Sequence, residues 1–200
     1  MIDPLPRTFY AQDARHVARG LLGAILVRQT ESVTIRARIV ETEAYTGLDD
    51  LASHGRAGRT PRNLPMWEAP GHAYVYLVYG RYWLLNAVCE AEGQPAAALI
   101  RALEPLDGLA AIAQNRAGRP AREYTNGPGR LTLALDITDA HNRADLTDPD
   151  GPLIILPGES VPAEAVATGP RIGMGKNVPE PWFSIARRYW LHDNPHVSRG

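Results

Sequence analysis

The sequence predicts an α+β fold: one compact domain over residues 1–200, built around a curved, mostly antiparallel β-sheet with short helices. Three observations carry that expectation. The most strand-like segments, 73–79 (AYVYLVY) and 82–88 (YWLLNAV), are separated only by Gly80 and Arg81, which leaves room for a tight hairpin and no crossover. The helix-compatible stretches are short and scattered among strands rather than alternating with them. The 18 Gly and 17 Pro are spread without a repeat period, so turns are many and no solenoid is encoded.

Taken in order, Asp13 can cap a short helix that runs through Leu22 and ends at Gly23. Residues 24–29 and 34–43 read as strands joined by a short polar hairpin. A long loop follows, from Thr46 to His72, with LASHGRAGRTPRN and several breakers. Loops of that length in compact domains are usually functional or disordered, and the aromatic, Met and Arg content speaks against pure disorder. After the hairpin, 97–103 reads as a strand, 106–116 as a helix, and 129–135 as a short helix behind the Asn126-Gly127-Pro128 turn; the last third is short strands and turns.

Composition narrows the chemistry. Hydrophobic content of 44% and charged content of 22% are those of a globular protein. Cys89 is the single cysteine, so no intrachain disulfide or thiolate cluster can form, which fits a reducing compartment, and no metal or cofactor is expected. The N-terminus lacks a basic stretch followed by a long apolar run, so a soluble intracellular protein without a membrane partner is expected. The formal net charge is −1, yet Arg56, Arg59, Arg62 and Arg81 face one acid, Glu68, between residues 51 and 89. Such asymmetry lets a neutral chain present a positive face to phosphates.

The most informative stretch is 38–45, RIVETEAY. Ile35, Ala37 and Ile39 share a parity with Glu41, Glu43 and Tyr45, so a strand there would run its apolar face into two acids and a phenol. Carboxylates at a core edge are costly unless paired or employed. Arg101, inside the apolar run 96–103, would likewise need an anionic partner. Four of the eight tyrosines fall between Tyr74 and Tyr82, and such rings serve equally as core or as base-stacking platforms.

Several segments in chain order resemble the alkyladenine (3-methyladenine) DNA glycosylases of animals and many bacteria: ARGLLGAILV, ARIVETEAYTG, SHGRAGRTPRN, PGHAYVYLVYGRYWLLN, LIRALEPLDG, NGPGRL, and TGPRIGM with NPHVS. The resemblance spans Ala18 to Ser198 and implies the fold of the formyltransferase C-terminal domain. It implies a partner, double-stranded DNA containing damaged purines such as 3-methyladenine or hypoxanthine, from which a monomer excises the base. It assigns Glu43 as the carboxylate that activates water, Arg101 as its partner, and the backbone carbonyl of Ile172 as a further ligand of that water. Tyr45, His54 and Tyr76 would line the base pocket, with backbone groups around Ala52 and His54 on the purine edge and Asn86 crowding the amine of guanine. Tyr79 would be the wedge that replaces the extruded base. Arg56, Arg59, Arg62 and Arg81 are candidate DNA-backbone contacts.

Period-two reasoning alone does not choose between Glu41 and Glu43. The single lysine, Lys176, lies outside the pocket motifs, so hydrolysis without a Schiff base is expected, the N-terminal amine being the one possible exception. Two departures stand out: Arg81 replaces an apolar residue of vertebrate relatives, and the tail before NPHVS is longer. Two other classes remain open, a non-catalytic nucleic-acid-binding module of the same fold and a small nucleoside hydrolase using Glu41 and Glu43 as paired acids.

Overall fold

The computed structural model describes residues 2–175 and 177–198. Among these residues eight strands pair in one sheet, β1 (Ile25–Gln29), β2 (Thr34–Tyr45), β3 (Ala73–Val78), β4 (Tyr82–Cys89), β5 (Ala96–Asp107), β6 (Leu153–Leu156), β7 (Val166–Pro170) and β8 (Ala186–Leu191). Every ladder is antiparallel, in the order β3-β4-β5-β2-β1-β6, with β8 attached to β2 and carrying β7. The helices are short: α1 (Arg7–Tyr10), α2 (Ala14–Gly20), α3 (Leu109–Asn115) and α4 (Pro128–Ala134). This is the α+β arrangement the sequence predicts.

Asp13 caps α2 as expected, its carboxylate accepting from the Arg15 N–H at 2.8 Å. Ala14, Val17 and Ala18 recur at helical spacing and enter the main core with Ile35, Ala37, Ile39, Ile100 and Leu103. The helix expected at 106–116 begins instead at Leu109. β5 keeps pairing as far as Asp107, and Gly108, at φ +74°, makes the turn that a side chain would block against Ile35.

β2 organises the molecule. Along one edge it pairs with β5; along the other it pairs with β1 over Thr34–Arg38 and with β8 over Glu41–Glu43. At the handover its register with β5 shifts: Ile39 faces Leu103, Glu41 faces Ala102 and Thr42 faces Ile100, leaving Val40 and Arg101 without opposite residues. This irregularity overturns the expected parity. Before it, odd-numbered Ile35, Ala37 and Ile39 face the main core; after it, even-numbered Ala44 lies in that core and the Thr42 hydroxyl reaches the Ala18 carbonyl of α2 at 2.7 Å. Glu41, Glu43 and Tyr45 therefore do not continue the apolar face. They point to the opposite side of the sheet, and Arg101 comes to lie beside both acids. Bulges often re-aim side chains next to sites of chemistry in this way.

The long loop 46–72 is ordered by two single-turn 3-10 helices, His54–Ala57 and Leu64–Trp67. Buried Asn63 ties them together, donating to the carbonyls of His54 (2.9 Å) and Gly58 (2.8 Å) and accepting from the Thr60 N–H (2.8 Å). Among the described residues no helix is long and apolar enough to cross a membrane.

Candidate active site

On the face of the sheet away from α2 lies a cleft of about 510 Å3, lined from β2, β3, β4, β5, α4, the 46–72 loop and residues 172–175 with Val178. At its back is Glu43, with no solvent exposure. One oxygen, Oε1, accepts from the Ile172 N–H at 2.6 Å and has Arg101 Nη1 at 3.2 Å; Oε2 accepts from the Tyr45 hydroxyl at 2.8 Å. Burial pushes the Glu43 carboxyl above the usual carboxylate range, against the opposing pull of Arg101, the Ile172 amide and Tyr45. Burial and the Glu43 charge push the Tyr45 phenol up in turn, so it stays protonated and able to donate.

A buried ion network behind the cleft holds these groups in place. Arg171 donates to both oxygens of Asp50 (2.6 and 3.0 Å) and to the Ala44 carbonyl (3.0 Å), and its guanidinium lies 4.7 Å from the Tyr45 ring centre. Arg187 adds bonds to Asp50 (2.9 Å) and Thr46 (2.5 Å). Burial would raise the Asp50 carboxyl, but the hydrogen bonds and charge of Arg171 hold it below its ordinary value. Because Arg171 precedes Ile172, this anchorage fixes the amide that meets Glu43.

The aromatic wall comes from β3. Tyr74 and Tyr76, two residues apart on one strand face, stack with ring centres 5.0 Å apart, and His54 meets Tyr76 edge-on at 4.6 Å. His54 Nδ1 lies 3.0 Å from the Tyr74 hydroxyl. Burial first and the Arg62 charge second push His54 below its ordinary value, so the imidazole is neutral at pH 7. Asn86, on β4, donates to the Tyr74 carbonyl at 3.0 Å and lines the cleft beside Ala52.

At the rim, Tyr79 is not the last residue of a strand, as the sequence suggests, but part of the hairpin turn. Strand β3 ends at Val78, and the Arg81 N–H closes the turn on the Val78 carbonyl at 3.0 Å. Both central residues, Tyr79 (φ 52°) and Gly80 (φ 63°), have left-handed backbones. A bulky side chain in that conformation costs about 1–2 kcal/mol. Here the ring gains no packing in return: it is 93% exposed.

The family profile described as Methylpurine-DNA glycosylase (MPG) matches residues 8–195. The chain belongs to this family. Among similar proteins named "Putative 3-methyladenine DNA glycosylase", that of Myxococcus xanthus is 46% identical over 98% of this chain and 94% of its own length. That of Anaeromyxobacter dehalogenans strain 2CP-1 is 45% identical over 98% and 85%, and that of Methanocella arvoryzae 44% over 98% and 96%.

In this glycosylase-family chain, Glu43, Tyr45, Ala52, His54, Tyr76, Tyr79, Asn86, Arg101 and Ile172 converge on or directly behind one cleft. Some expectations shift in detail. The Ala52 N–H already donates to Asp50 (3.1 Å) and the His54 carbonyl already accepts from Asn63, so these two groups are engaged within the loop. Of the four candidate backbone arginines, Arg62 is exposed and lays its guanidinium over the Tyr76 ring, 5.3 Å from the ring centre, while donating to the Leu77 carbonyl, and Arg59 lies over Trp67. Arg81 opens onto a neighbouring groove. Lys176 and the N-terminal Met1 lie outside the described residues. The sequence reading misses Tyr74, Asp50, Arg171 and Arg187. The alternation of AYVYLVY puts Tyr74 and Tyr76 on one face and so carried a signal for Tyr74; the buried ions pair residues more than a hundred positions apart and carried none.

Proposed function

We propose that this DNA repair glycosylase extrudes damaged purines, such as 3-methyladenine and hypoxanthine, from double-stranded DNA and hydrolyses their N-glycosidic bond with a water activated by Glu43. The observation that carries the reading is a buried carboxylate behind an aromatic cleft that has an unsupported, strained tyrosine at its rim. A base within a duplex is unreachable, so the nucleotide must swing out, stack among Tyr45, His54 and Tyr76, and leave a gap that the Tyr79 ring fills. As the C1′–N9 bond breaks, its electron pair leaves with the purine and positive charge spreads over the sugar. Glu43 stabilises that cation and takes the proton of the water that adds to C1′. Arg101 keeps the acid oriented, and the Ile172 carbonyl serves as a second acceptor for the water. The product is an abasic site.

Neutral His54 suits an uncharged base edge, and Asn86 crowds the exocyclic amine that distinguishes guanine. No amine nucleophile is found among the described cleft residues, which favours hydrolysis over Schiff-base chemistry. Glu41 is closed off by donors, which weighs against paired acids acting on a small nucleoside. On this reading the enzyme acts as a monomer without cofactor or metal, in the cytoplasm or nucleoid. Its sheet is that of the formyltransferase C-terminal domain.

Release of hypoxanthine from a duplex with one defined lesion, with and without a chelator, tests the reading. Release from the duplex that exceeds release from the free nucleoside and survives chelation is expected. Equal rates on both substrates, or activity restored only by a divalent ion, would overturn it. Tyr79→Ala should lower release from stable pairs more than from mismatched ones while leaving the melting temperature nearly unchanged; a large melting loss with equal losses on both substrates would remove the wedge.

A further inference from the structure

Beside the base cleft runs a larger groove of about 720 Å3, lined by Arg81, Arg101, Arg116, Arg119, Arg122 and Arg130, with Glu123 as the single acid among its described lining residues. Of the six arginines, Arg101 alone is ion-paired among the described residues. Arg116 donates to the Glu123 carbonyl at 3.2 Å, Arg130 to Asn126 Oδ1 at 2.7 Å, and Arg81 lies over the Tyr82 ring. Arg119 and Arg122 are exposed. Burial, and then the charges of Arg130 and Arg119, push the Arg116 guanidinium below its usual range, and its Nε is buried without a hydrogen-bond partner. Like charges gathered around one concavity repel, and an anion in the groove relieves that repulsion.

The position of the groove indicates which anion. It shares Tyr82, Arg101, Pro128 and Gly129 with the base cleft, as a thin wall between the two. At Gly129 a Cβ would come within 2.9 Å of the Tyr82 Cβ, so this close packing of α4 on β4 requires glycine. The hairpin tip stands over the same boundary, with Tyr79 on the cleft side and Arg81 on the groove side. On the glycosylase reading, a strand that delivers a nucleotide to the cleft has to leave it past one of its walls, and this wall opens onto the arginine-lined groove. We propose that this groove binds the sugar-phosphate backbone of DNA on one side of the extruded nucleotide, with Arg116, Arg119, Arg122 and Arg130 as phosphate contacts. The proposal rests on the glycosylase reading above.

The test measures binding of Arg119→Gln/Arg122→Gln protein to hypoxanthine-containing duplexes across a salt series, alongside duplexes shortened on either side of the lesion. Each phosphate contact adds about 0.9 to the log–log salt slope, so the double variant should lower the slope by about two and weaken binding roughly 10-fold near ~0.1 M salt. Shortening one flank should cost the wild-type protein a similar factor and the variant almost nothing, whereas shortening the other flank costs both equally. Arg119→Lys/Arg122→Lys should keep the wild-type slope, which separates lost charge from damaged folding. An unchanged slope, or losses that add with truncation on either flank, would overturn the proposal. Binding is read without base release. A protein that binds the duplex but frees no purine therefore defeats the glycosylase reading and leaves the groove to be decided by its slope; one that binds no duplex overturns both.

Discussion

Glu41 and Glu43 stand two residues apart on one strand, without solvent exposure, and share the Arg101 guanidinium, yet their surroundings differ. Glu41 is the better supplied with donors: Oε1 accepts from Arg101 Nε (2.9 Å), Arg188 Nε (2.7 Å) and the Ser198 hydroxyl (2.9 Å), and Oε2 from the Ser198 N–H (2.7 Å). Its donors tie β2, β5, β8 and the C-terminal segment together. Glu43 has fewer donors, all from residues that line the cleft, and burial raises its pKa. Periodicity makes the two acids equivalent; the donors do not. A carboxylate held by four donors from three separate segments anchors structure, and one that is desolvated and less supplied beside a cleft is poised to take a proton.

The largest effect should follow from Glu43→Gln. Loss of a positioned general base costs ~100-fold to 10,000-fold in rate, and loss of the charge facing the sugar cation adds to it. Single-turnover release of hypoxanthine should nearly vanish while lesion binding survives. Near-normal release would break the assignment.

Glu41→Gln should act through the fold instead. It leaves the Arg101 and Arg188 guanidiniums, both largely buried, without their shared anion, a change that costs ~3–5 kcal/mol. Denaturant melts should show that loss, and the folded fraction should lose far less excision than Glu43→Gln. An unaltered melt with abolished excision would exchange the two roles.

How much of this contrast was readable beforehand depends on how local its causes are. The hairpin was legible because alternation, aromatic content and Gly80 all lie within sixteen residues. The importance of 38–45 was legible because acids in a strand pattern are anomalous. Their orientation was not: the irregularity at Val40 and Arg101 depends on the pairing of β2 with β5, about sixty residues away, and it reverses which parity faces the core. The donors that distinguish the acids come from β8 and from residues 172 and 198, further still. The arginines at 116, 119, 122 and 130 were plain in the sequence, but only the fold gathers them into one groove with Arg81 and Arg101.

A smaller effect sharpens the comparison through pH. The folded Glu43 pKa lies above its unfolded value of about 4.3, so between the two the native state holds a proton that the unfolded chain releases. The associated stability is fully present below ~pH 4.3 and is lost as pH rises through the folded pKa, the interval in which the base becomes active. Glu43→Gln removes this dependence. Its melting temperature should therefore gain on the wild type as pH rises through that interval, then run parallel. Wild-type excision should rise across the same interval. A melting difference that is flat with pH would mean that Glu43 is not desolvated as described.

The mildest change, Tyr45→Phe, isolates one donor. The Tyr45 hydroxyl donates to Glu43 Oε2 at 2.8 Å and favours the ionised acid, while the ring, backed by Arg171, remains available for stacking after the substitution. A hydrogen bond to a charged group is worth about 1.5–3 kcal/mol, and one pKa unit is about 1.4 kcal/mol. The Glu43 pKa should therefore rise further, by about one to two units, and the acid limb of the rate profile should move up with it. Well above the limb the two proteins should excise at rates within about tenfold, because the acid is ionised in both. Glu41 has no contact with this hydroxyl, so the melt should change little. An acid limb that stays in place in Tyr45→Phe would show that the titrating group is not Glu43, and the contrast between the two acids would have to be rebuilt around another base.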